Sequence, residues 1–82
     1  MSDERVAAAL VAYLDHCVFV RASRALCKAH PHDPQYVAAH DQLLDANCAL
    51  WDAYLTAGGS AAAGNAAYVA RFGGTMPDRS QS

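Results

Sequence analysis

The segment His30-Pro31-His32-Asp33-Pro34 separates two long stretches that contain neither proline nor glycine, and it constrains the fold more than any other feature of the chain. Each proline disfavours helix at the residue before it, while Asp33 followed by Pro34 is a good cap and first helical position. Two helices meeting in a tight antiparallel hairpin follow. The first is predicted over residues 3–29: Ser2 can cap it, Asp3 and Glu4 lie against the positive end of the helix dipole, and Lys28 and His30 suit the other end. The second is predicted over residues 34–57, stopping at Gly58-Gly59, where a left-handed residue costs nothing sterically. Ser60 can cap a third, shorter helix over 60–72 with Tyr68, Val69 and Phe72 on one side, although Gly64 and Asn65 weaken it. Residues 73–82 are polar, punctuated by Gly and Pro, and read as a flexible tail after a single helical domain, 1–72.

A chain of 82 residues has room for one domain and buries only about 60% of the surface its unfolded form exposes. Hydrophobic residues make up 54% of it, but much of that is alanine, which favours helix and adds little buried area. No stretch alternates apolar and polar over strand length. The expected class is therefore all-α: a helical hairpin with a short third helix, a small bundle with a thin core that a second copy or another partner can complete.

His40, Asn47 and Tyr54 recur at seven-residue intervals in the second helix, flanked by Tyr36/Val37, Leu43/Leu44, Leu50/Trp51 and Leu55. At about 100° per residue they share one stripe, so two polar side chains sit within a face otherwise built for burial. A buried Asn or His on such a seam usually sets register or partner identity, which makes His40, Asn47 and Tyr54 the expected specificity residues. On the first helix, Val6, Leu10, Tyr13, Leu14, Cys17 and Val18 form an apolar stripe that continues into Arg21, Arg24 and Lys28. Phe19, Ala22 and Leu26 form a second strip that one neighbouring helix cannot also cover. The basic group and the acidic line Asp41, Asp45 and Asp52 on the second helix are the candidate partner-binding charges.

Little in the chain suggests catalysis. Asp15, His16 and Cys17 are adjacent, but successive helical residues point in different directions, and the glycine pairs match no phosphate loop. No enzyme activity and no cofactor are expected. Cys27, His30 and His32, with His40 within reach, form an alternative metal-binding or redox-responsive set, at a spacing that is not a standard zinc pattern. Cys17 and Cys48 come to a similar level in such a hairpin, and an odd count of three cysteines fits free thiols in a reducing compartment.

The net charge of −2 disfavours nucleic acid as the main partner. The alternative of a nucleic-acid-binding hairpin would use Arg5, Arg21, Arg24 and Lys28. An acidic N-terminus is unlike a secretory signal, and Asp15-His16 and Arg21 interrupt the apolar run that follows, so a cytoplasmic protein without a membrane span is expected. The leading functional expectation is a non-enzymatic interaction module acting on a larger protein or complex as an inhibitor, adaptor or assembly factor. A phage or mobile-element inhibitor of a bacterial defence complex is one instance of that class.

Overall fold

A computed structural model describes residues 2–74. It contains three helices, α1 (Ser2–Ala29), α2 (Pro34–Thr56) and α3 (Ala61–Phe72), with no strand among the described residues. The all-α class and the hairpin with a short third helix are those the sequence predicts, and each predicted helix end lies within one residue of the observed one. Ser2, expected as a cap, is instead the first helical residue. The tail expected from residue 73 lies mostly outside the described residues.

Local chemistry accounts for the boundaries. Asp33 is extended and its carboxylate accepts from Gln35 N at 3.0 Å, with Pro34 opening α2. The turn before it is held by His30 N donating to Leu26 O at 2.9 Å and Asp33 N to His30 O at 3.2 Å. At the far end of α2, Gly59 N donates to Tyr54 O and Gly58 N to Leu55 O, both at 3.0 Å. With Gly58 at φ 112°, this is the left-handed termination expected there, in a conformation that side-chain-bearing residues rarely adopt. Ser60 Oγ accepts from Ala63 N at 3.1 Å and starts α3.

α1 and α2 lie antiparallel, and their contacts step in register: Cys27 meets Tyr36, Ser23 meets His40, Cys17 meets Asn47, and Tyr13 meets Trp51. At 28 residues α1 is about 42 Å long and accounts for most of the longest dimension, 47 Å. Most packing between elements is α1 on α2. α3 is fastened by fewer contacts, chiefly Tyr68, which joins Tyr13, Leu14 and Cys17 in the core cluster.

The buried line of α1 differs from the predicted stripe. Val18 is 44% exposed, whereas Val20 and Ser23 are buried. The contact with α2 follows residues 13, 20 and 27 together with 16 and 23, a heptad line that keeps facing an antiparallel neighbour. The line 14, 21 and 28 drifts to the flank, which is why the predicted stripe turned basic. On α2, Val37 and Leu55 are likewise exposed rather than part of the packed seam, at 46% and 38%.

Tyr13 is 1% exposed, and burial first, then the neighbouring Cys17 thiol, push its phenol above the ordinary value. The unfolded phenol ionises near pH 10 while the folded one stays neutral, so the contribution of Tyr13 is fully present below about pH 10 and is lost as pH rises beyond it. Urea midpoints measured at rising pH should fall more steeply for wild type than for Tyr13→Phe. Parallel curves for the two proteins would count against this linkage.

Candidate functional site

The polar seam of α2 faces α1 of the same chain. Asn47 is 3% exposed, its amide donates to Cys17 Sγ at 3.3 Å, and its Nδ2 lies 3.2 Å from His16 Nδ1. An amide nitrogen can only donate, so His16 Nδ1 is the acceptor in this contact. Two turns away His40 Nδ1 and Ser23 Oγ are hydrogen-bonded at 3.1 Å. Tyr54, 1% exposed, donates its hydroxyl to Ser60 O at 2.8 Å. Among the described residues no buried side-chain polar atom lacks a partner. His16 and Ser23 were not read from the sequence as the partners of Asn47 and His40; they share the same seven-residue spacing, but only the observed antiparallel register sets each opposite its partner.

The network explains what Asn47→Leu should do. The groups it would strand are a thiol, which is a weak acceptor, and the half-buried His16 ring, which water can reach. Leu adds apolar burial in return, so the net change in unfolding free energy is expected within about 1 kcal/mol, with the helices intact. Denaturant melts of the variant provide the measurement; a loss of several kcal/mol would mean that the polar network dominates the packing of the hairpin.

Among the described residues Asp15, His16 and Cys17 do not come together as a nucleophile site. Asp15 bonds Arg71, His16 turns to Asn47, and Cys17 is 0% exposed, so the three adjacent groups diverge. All three cysteines are free thiols. Cys27 Sγ donates to Tyr36 O at 3.3 Å, His30 stacks on the Tyr36 ring with centroids 4.5 Å apart, and His40 is taken by Ser23. The alternative ligand set is thus dispersed among separate contacts, and no group of three or more His, Cys, Asp or Glu positioned for a metal occurs among the described residues. Residues 30–34 line only an open concavity at the hairpin turn.

The candidate charges fall in different settings. Arg21 Nη1 donates to Tyr68 OH at 3.1 Å, and its guanidinium lies 4.9 Å from the centre of the Phe72 ring. It therefore fastens α3 to α1, so reversing its charge would disturb the fold as well as any contact. Arg24 and Lys28 are exposed on the same helix, and Asp41, Asp45 and Asp52 are exposed along one edge of α2. Arg71 from α3 donates to Asp15 at 2.9 Å, a pair open to solvent on both sides.

The largest departure from a closed molecule is on α1. Val11, Val18, Phe19 and Leu26 are 54%, 44%, 63% and 47% exposed and fall within one arc of about 100°. Ala22, in the same arc, is exposed too. Neither α2 nor α3 covers the apolar side chains of this strip; α3 reaches the arc only through Arg71, which bonds Asp15 at its centre. By length and composition α1 is also apolar enough over Asp3–Ala29 to cross a membrane, despite the Asp15-His16 and Arg21 interruptions. A helix with one packed apolar face and one bare one meets that test as well as a spanning helix does. The chain matches no family model, no curated protein and no solved structure.

Proposed function

We propose that this protein is a non-enzymatic interaction module that works by docking on another protein, as an inhibitor, adaptor or assembly factor. The observation that carries the reading is the uncovered face of α1, where large apolar side chains stand in water beside a core that is already closed on the other side of the same helix. An exposed apolar strip on so small a molecule, interrupted only by the Asp15–Arg71 pair, marks a contact surface. The exposed charges Arg24 and Lys28 on α1, and Asp41, Asp45 and Asp52 on α2, supply a polar surround that steers encounter and restricts partner choice.

The test is a photo-cross-linking residue at Ala22, the centre of the strip, in native cells. The expected result is a discrete protein adduct that disappears when Phe19→Asp and Leu26→Asp are added. Only diffuse background adducts, unchanged by those substitutions, would overturn the reading.

A further inference from the structure

We infer that the occupant of the bare α1 face is a second copy of this chain, paired antiparallel about a two-fold axis between residues 18 and 19; this rests on the reading of that face as the contact surface. The exposed large apolar residues of α1 are Val11, Val18, Phe19 and Leu26. They are placed symmetrically about that point, so in an antiparallel pair Val11 of each copy meets Leu26 of the other, and Val18 meets Phe19 at the axis. This is the self-complementarity that an isologous interface requires. Exposed alanines occupy positions 12, 22 and 25, allowing two helix backbones to approach closely.

Charge selects the orientation. A parallel pair would set Asp15 beside its own copy in the middle of the strip, and like charges in contact are unfavourable. The antiparallel pair sets Asp15 opposite Ala22 and keeps the two carboxylates about 10 Å apart along the axis, each bonded to Arg71 of its own copy.

Size sets the strength. From Val11 to Leu26 the strip runs about 22 Å along the helix and is roughly one helix diameter, about 10 Å, in width. That is well below the face of a standard stable interface, so the pair is expected to dissociate on dilution, with a Kd on the order of 10–100 μM. Pairing leaves Arg24, Lys28 and the acidic edge of α2 outward, two of each, for any larger partner.

Sedimentation equilibrium on the whole chain over about a hundredfold concentration range tests the proposal. Wild type should shift from monomer to dimer. Val11→Lys should weaken association at least about tenfold, and adding Leu26→Glu in the same chain should restore it, because the new charges then face each other across the axis. Both substituted positions, Val11 and Leu26, are exposed, so circular dichroism should remain that of wild type. A wild-type monomer throughout overturns the proposal, as does a double variant weaker than Val11→Lys alone, the pattern expected of parallel pairing. Monomer in buffer together with uptake by anionic phospholipid vesicles overturns it in favour of a lipid surface. A monomer whose Ala22 probe still captures a different protein defeats the second-copy proposal while sparing the interaction reading; a dimer whose probe captures only its own copy supports it.

Discussion

Replacing Tyr54 by alanine is expected to cost about 3–5 kcal/mol, the range for deleting a large buried aromatic side chain. Tyr54 is 1% exposed, and its ring lies 5.2 Å from that of Trp51, between the loop at Gly59 and the start of α3 at Gly64. Its hydroxyl holds Ser60 O, so truncation empties a cavity and releases the turn that begins α3. Total stabilities of about 0.05–0.15 kcal/mol per residue leave an 82-residue chain little to spare, and Tyr54→Ala should be largely unfolded at 37 °C. Tyr54→Phe, which loses only the hydroxyl, should cost about 1 kcal/mol. Denaturant melts of the two variants separate packing from hydrogen bonding; near-equal losses would show that the Ser60 bond, not the ring, holds this end together.

Gly64→Ala is expected to destabilise by about 1–3 kcal/mol or more, although the same change at an ordinary helix interior stabilises by nearly 1 kcal/mol. The reversal of sign comes from the Trp51 ring, against which a Cβ at position 64 would collide, and from Tyr54 Cε2 at 3.1 Å. Gly64 is buried, with the Trp51 and Tyr54 rings of α2 directly against it. The collision should push α3 off the hairpin while leaving α1 against α2, since most packing between elements is theirs. Helicity by circular dichroism and Trp51 fluorescence report the two events separately. An Ala variant as stable as wild type would require Trp51 to move aside without cost. A helix former placed here for its propensity alone would thus work against the fold.

These two expectations reverse part of what the chain suggests in one dimension. Gly64 reads in sequence as a weakness of the third helix, whereas the structure makes it the condition for α3 to pack at all. Arg21 likewise reads as one member of an exposed basic group with Arg24 and Lys28. It is the residue whose guanidinium bridges Tyr68 and Phe72, and nothing near it in sequence signals those partners on α3. The polar seam was legible in position but not in partner. The spacing of His40, Asn47 and Tyr54 places them on one face, while the identification of Ser23, His16 and Ser60 as what they bond required the antiparallel register and the Gly58-Gly59 turn.

The helices and their ends were written in the sequence because the forces that set them act over a few residues. Asp33 caps its own helix two residues on, Gly58 turns the chain where it stands, and Ser60 binds the amide three residues away. What the tertiary structure alone decided is the rotation of α1. That helix carries two apolar strips of similar character, and no local interaction distinguishes Val18, Phe19, Ala22 and Leu26 from Tyr13, Cys17, Val20 and Cys27. The choice falls to the line whose groups find partners on α2, with Cys17 and His16 meeting Asn47, Ser23 meeting His40 and Tyr13 meeting Trp51. Burying one strip against a single antiparallel neighbour turns the other toward solvent, because two helices in contact cover less than half of each other's surface.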